Sequence, residues 1–192
     1  MLFRSDSNQT GTAAATKQII YNSINGNSGP ANLNFGGFDY KGVSRATSDA
    51  RDEVIGEWIG KAMQYAHIAK KKIMIYVPTD GSTASAESAT GGGDWTNDRG
   101  AAGQIIFFVV DPLSDGDTSS ATNNYMIGNF TPSQEANDGF WTTSHKRPDH
   151  REVAAAAVFA NYLKLAGRPD KIEALTQSVI KQDEAAKYIR VK

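Results

Sequence analysis

Residues 48–78 read SDARDEVIGEWIGKAMQYAHIAKKKIMIYVP, and the reading of this stretch decides the fold class. Ser48 or Asp49 can cap a helix, and Asp49, Asp52 and Glu53 load its first turn with the negative charge that the positive end of a helix dipole favours. Val54, Ile55, Trp58, Ile59, Ala62, Met63 and Ala66 then recur at i, i+3 and i+4, and Lys70, Lys71 and Lys72 close the segment with positive charge at the correct end. The spacing predicts a helix from Asp49 to Lys71 that buries Val54, Ile55, Trp58, Ile59 and Met63. Ile73-Met74-Ile75-Tyr76-Val77 is too rich in branched and aromatic residues to continue it, and Pro78 ends the run, so a buried strand follows. A helix laid on its own following strand is the seed of an α+β domain.

Working outward, Ile105 to Val110 has no polar residue and predicts a second buried strand, stopped by Asp111-Pro112. Residues 79–103 between the two strands are rich in Gly, Ser, Thr and Ala around Gly91-Gly92-Gly93, which predicts a mobile loop insertion rather than a linker. Towards the N-terminus, Met1 to Phe3 suggests a short strand and Ser5 to Lys17 a loop or weak helix. Ile20 and Ile24 stand at helical spacing, residues 25–37 form an irregular loop, and Phe38 to Ser44 alternates like a strand. Beyond the insertion, Tyr125 to Phe130 predicts a short strand and residues 131–147 a loop. Pro148-Asp149 introduces an alanine-rich helix from Val153 to Leu163, Asp170 starts an amphipathic helix through Ile172, Leu175, Val179 and Ile180, and Tyr188 to Val191 forms a last strand. The expected architecture is one α+β domain over residues 1–192, with a mixed, split β-core and two or three packed helices.

Composition removes several chemistries. The chain has 192 residues, 40% of them hydrophobic, a net charge of −1 and no cysteine, so disulfides, thiolate metal sites and a cysteine nucleophile are out of reach. A platform for nucleic acid would carry a positive field, which this balance does not supply. No run approaches the ~18 apolar residues of a membrane span, and Met1 to Asp6 lacks the basic region and apolar core of a secretory signal, so a protein acting in solution is expected. No metal is expected. Asp111, Asp115 and Asp117 lack the late bidentate glutamate of a calcium loop, and His145 and His150 lack the spacing of zinc motifs. There is no Gly-x-Ser-x-Gly elbow, and the triple glycine is not followed by the Lys and Ser/Thr of a phosphate loop.

Three scattered pieces together resemble the cholera- and pertussis-toxin type of mono-ADP-ribosyltransferase: Phe3-Arg4-Ser5-Asp6-Ser7, Gly42-Val43-Ser44, and Asp149-His150-Arg151-Glu152-Val153. The resemblance implies a toxin or effector domain acting in a target cell's cytoplasm, with NAD as substrate and cofactor. It also implies a macromolecular acceptor of ADP-ribose and an immunity or carrier protein as partners. Arg4, Asp6 and Ser44 would bind the cofactor. Glu152 would hold the nicotinamide ribose and stabilise the cation formed as nicotinamide leaves, with His150 beside it in the catalytic set. A guanidinium fork such as that of Arg4 suits a pyrophosphate or a carboxylate. The chain departs from the family where Ser44-Arg45-Ala46 stands in place of Ser-Thr-Ser, and where His150 stands in place of an earlier Glu or Gln. The second departure puts transfer to protein arginine in doubt.

Two other readings come from the residues alone. Loops rich in Ser, Thr, Asn and Gly, no cysteine and a near-zero charge suit a structural or interaction protein, such as a virion or secretion-apparatus component. His145, Asp149 and His150 could instead serve a small nuclease or hydrolase. Nicotinamide release from NAD separates the first reading from both.

Overall fold

The computed structural model describes residues 11–40, 42–78, 82–85, 95–99, 105–113, 126–128 and 150–191. They form an α+β protein: helix α1 (Gly11–Asn25), helix α2 (Arg45–Ile68), strands β1 (Ile73–Pro78), β2 (Ser82–Ser85), β3 (Trp95–Arg99) and β4 (Ile105–Val110), helix α3 (His150–Leu165) and a one-turn helix α4 (Ile172–Leu175). β1 pairs antiparallel with β4, and β2 pairs with β3. The chain clusters into two compact units that alternate along the sequence, one of residues 1–75, 83–97 and 109–115, the other of residues 76–82, 98–108 and 116–192.

In the first unit, α1 buries Thr16 and Ile20, one turn apart, and stops where Gly26 takes a positive φ of 75°. Asn25 then donates through Nδ2 to the Tyr65 hydroxyl at 2.7 Å, and the rings of Tyr21 and Tyr65 lie 5.6 Å apart, which ties the end of α1 to α2. Helix α2 starts four residues before the expected cap. Ser44, in extended backbone, accepts from the Thr47 amide, and the expected cap Ser48 is instead buried, its hydroxyl donating to the Arg45 carbonyl at 2.8 Å. The acidic residues from Asp49 onward therefore lie past the first turn.

The residues that α2 buries also differ from expectation, although Ala62 and Ala66 belong to the expected stripe. The helix buries Ser48, Ala62 and Ala66, while Ile55, Trp58, Ile59 and Met63 are half-buried and Val54 is exposed. Small side chains let neighbouring backbone come close and large ones then stand at the margin, an outcome that hydrophobic spacing alone does not encode. The expected strand at Phe38 to Ser44 is not formed by the described residues there. Val43 donates back to the Tyr40 carbonyl at 3.0 Å, Gly42 takes φ 70°, and Ser44 is already committed to the cap. The alternating pattern at this point serves a loop held on α2, where the Tyr40 hydroxyl donates to Asp52 at 2.5 Å and Arg51 donates to the Asp39 carbonyl at 3.3 Å.

Lys70 closes α2 in the left-handed region at φ 55°, a conformation that glycine adopts more cheaply, and Lys72 then meets Asp111 at 2.5 Å across the base of the β1–β4 pair. Residues 79–103 are not loop throughout, because β2 and β3 fall within them; the triple glycine and the expected strand at Met1 to Phe3 lie outside the described residues. So do Tyr125, Asn129 and Phe130 of the strand expected at 125–130, while residues 127 and 128 form a bend.

The second unit holds the larger core, in which Val153, Ala156, Ala157, Ala160 and Leu163 of α3 meet Ile172, Ile180, Ala185 and Tyr188. Gly167 at φ 72° ends α3, with Arg168 donating to the Leu163 carbonyl, and Pro169 follows. The amphipathic helix expected from Asp170 onward stops after one turn. The Thr176 hydroxyl donates to the Ile172 carbonyl at 2.7 Å and accepts from the Ile180 amide at 3.3 Å, and Gln177 and Ser178 both take positive φ. A side chain that competes for backbone groups in this way turns the chain where helical spacing would continue it. Of the expected last strand, Val191 alone forms a β-bridge.

Candidate functional site

The residues singled out by the toxin resemblance can be placed in part. Arg4 and Asp6 lie outside the described residues, as do His145 and Asp149. Ser44 belongs to the first unit and is exposed; its hydroxyl shares a hydrogen bond with the Thr47 hydroxyl at 2.9 Å besides capping α2. Its local job is to satisfy an amide that the helix start leaves without a partner.

Glu152 and His150 belong to the second unit. His150 is the first residue of α3, and Glu152 stands exposed in the first turn. The backbone at Glu152 is thus helical, whereas the resemblance asks for extended chain there. Proline before an alanine-rich run favours the helix, and a carboxylate at the positive end of the helix dipole adds to it. Among the described residues no group of three His, Cys, Asp or Glu is placed to hold a metal ion.

Two apolar surfaces stand out instead. The first is the β1–β4 ribbon. β1 reads Ile-Met-Ile-Tyr-Val-Pro and β4 reads Ile-Ile-Phe-Phe-Val-Val, a composition typical of strands covered on both faces, yet no residue of either strand is buried. Tyr76 is 61% exposed and Ile106 48%. At its base, hydrogen bonding to Lys72 holds the Asp111 carboxyl below its ordinary range.

The second surface is the outer face of α3. Phe159 and Tyr162 stack there with ring centroids 6.0 Å apart and planes 13° from parallel, and both are exposed. From Val153 to Leu165 the helix carries a single charged residue, Lys164, so it is apolar nearly all round, the pattern of a helix covered on more than one side.

Sequence reading took β1 and β4 as buried strands, whereas nine of their twelve residues are half-buried and none is fully buried. A signal was present, because strands apolar on both faces need layers above and below, and residues 79–103 offer little apolar material to build one. No family model matches the chain, and no curated protein or solved structure matches it.

Proposed function

We propose that the protein is a structural or interaction protein that associates through the β1–β4 ribbon, as a component of a larger assembly. The observation that carries this reading is the ribbon itself, two strands with no charged side chain and no buried residue. A two-stranded ribbon with no further strand among the described residues is marginal in water, and apolar side chains left half-covered, with Tyr76 and Ile106 exposed, mark a place where something else packs. The apolar outer face of α3 supports the same reading.

The test is the mass of the protein in solution by sedimentation, compared with a Tyr76→Lys/Ile106→Lys variant. The wild-type chain associates and the variant does not; a wild-type chain that stays monomeric up to its solubility limit, with the variant no different, removes the ribbon as an association surface. The ADP-ribosyltransferase reading rests on the motif resemblance, with Glu152 in helical rather than extended backbone. It is decided by nicotinamide release from NAD, which the association reading expects to be no greater for the wild-type chain than for Glu152→Gln.

A further inference from the structure

We infer that Asn25 is a site of spontaneous deamidation, and that the reaction loosens α1 from α2. The inference is independent of the association reading above. Asn25-Gly26 is the one Asn-Gly pair in the sequence. In such a pair the second residue has no side chain to hold its amide nitrogen away from the asparagine side-chain carbonyl, so the backbone can close on the side chain.

The fold presents the pair where α1 ends. Gly26 takes φ 75° and is exposed, and a Cβ placed on it would meet nothing within 4 Å, so water and base reach the peptide. Its amide makes a turn bond to the Ser23 carbonyl at 3.1 Å. Nδ2 of Asn25, the atom that the reaction expels, donates to the Tyr21 carbonyl at 2.8 Å and to the Tyr65 hydroxyl at 2.7 Å. The first bond fastens the last turn of α1, and the second joins α1 to α2. Together they fix the side chain, so the closed helix end guards the site and the reaction starts from chains whose last turn has frayed.

The chemistry needs water alone. Base takes the proton of the Gly26 amide, and the nitrogen attacks Cγ of Asn25. The N–Cγ bond forms as the Cγ–Nδ2 bond breaks, and Nδ2 leaves with a proton from water as ammonia. A water molecule then opens the cyclic imide at either carbonyl, which gives aspartate or isoaspartate at position 25. One water is consumed, one ammonia is released, and nothing is oxidised or reduced.

The product cannot restore the clasp. A carboxylate has no proton to give the Tyr21 carbonyl, and its charge lies at the negative end of the α1 dipole. The Tyr65 hydroxyl can turn and donate to it, so with aspartate the tie to α2 weakens but survives. With isoaspartate the main chain is one carbon longer and no side-chain amide remains. Fraying exposes the site and reaction removes what closes the turn, so the change runs one way.

The full chain is incubated folded at mildly alkaline pH and followed by intact mass and by peptide mapping that separates aspartate from isoaspartate. Position 25 converts faster than any other asparagine and gives both products. Tyr65→Phe keeps the ring and removes one guarding bond, so it speeds conversion at 25 about fivefold, the factor that one hydrogen bond represents. Asn25→Asp, made directly, speeds hydrogen exchange in the last turn of α1 about tenfold, from a lost bond and a misplaced charge together. A folded chain that stays intact at 25 while the denatured chain converts there overturns the inference. So does conversion at 25 that Tyr65→Phe leaves at the wild-type rate, or an Asn25→Asp chain whose helix end exchanges as slowly as the wild type.

Discussion

Asn161→Ala is expected to cost more than any other single truncation in the second unit, and the reason can be counted at the side chain. Asn161 is fully buried on α3, at 0% exposure, and uses its whole hydrogen-bonding capacity. Nδ2 donates to the Ala157 carbonyl at 2.8 Å and the Tyr188 carbonyl at 2.9 Å; Oδ1 accepts from the Arg190 amide at 2.7 Å and the Val191 amide at 3.2 Å. The side chain thus stands in for a missing strand, supplying to residues 188–191 the partners that a sheet neighbour would. Truncation removes the acceptor of two amides and the donor to the Tyr188 carbonyl, while the Ala157 carbonyl keeps its helical place. A lost buried hydrogen bond whose partner stays behind costs about 1–3 kcal/mol, so these three, with Arg190 only partly buried, come to about 3–6 kcal/mol. That is a large share of the 5–15 kcal/mol (roughly) that holds a domain folded. For a chain of this size it corresponds to a fall in Tm on the order of 10 °C or more. Calorimetry measures that shift, and hydrogen exchange at Arg190 and Val191 locates it, since both amides lose protection in the variant. Asn161→Leu separates hydrogen bonding from packing, because it refills the volume without supplying an acceptor and should be about as damaging as Ala. A Tm unchanged within about 2 °C, or rescue by leucine, would refute the reasoning.

Burial first, and then the hydrogen bond to Asp52, raise the pKa of Tyr40 above its ordinary value of 10.0. The folded state therefore holds this proton more tightly than the unfolded one, and the stability it contributes is present at neutral pH and lost as pH rises above 10. In a spectrophotometric titration of the seven tyrosines, Tyr40→Phe removes one of the late-titrating phenols and Asp52→Asn brings one to lower pH; an unchanged profile in both would show that the loop does not hold this contact in solution. On α2, Trp58 is half-buried with the Lys61 ammonium 5.0 Å from its ring, whereas Ala66 is at 0% exposure. Trp58→Ala should cost about 1–2 kcal/mol, below the ~3–5 of a fully buried aromatic, and Ala66→Leu should cost about as much by overpacking; urea unfolding that shows Trp58→Ala to be far the worse of the two would restore tryptophan as the anchor.

The sequence made the strongly periodic elements legible and left their faces and ends obscure. α2, β1, β4 and α3 stand within a few residues of where hydrophobic spacing puts them, because each run is long or wholly apolar. Which residues of the α2 stripe are buried was not legible. The spacing of Val54 to Ala66 defines the apolar stripe, but within it the burial fell on Ala62 and Ala66 rather than on Ile55, Trp58 and Ile59, and a count of hydrophobic residues gives small ones little weight. Ends failed where a side chain took over backbone bonding. Ser44 rather than Ser48 caps α2, and Thr176 halts the helix after Leu175, since several hydroxyls compete for each end and only the fold selects among them. The expected strands at Phe38 to Ser44 and Tyr188 to Val191 share a cause: alternation marks a half-covered segment, and a loop pinned by Tyr40, or a tail pinned by Asn161, is half-covered without a strand beside it.

The candidate site was legible only as motif. Short motifs state which residue types recur, and local backbone then decides what each can do. Glu152 illustrates the point. On extended chain it would belong to a strand, but in the first turn of α3 it stands at the positive end of its own helix dipole, where a negative charge adds to helix stability whether or not a ligand is near. The β1–β4 ribbon is the opposite case, since it carries no residue of recognisable catalytic chemistry. What marks it is the lack of charge in both strands, which acquires meaning only once the two are known to pair with each other and no residue of either is buried. An association surface of this kind is written in what a strand omits, so a search for chemistry-bearing residues passes over it.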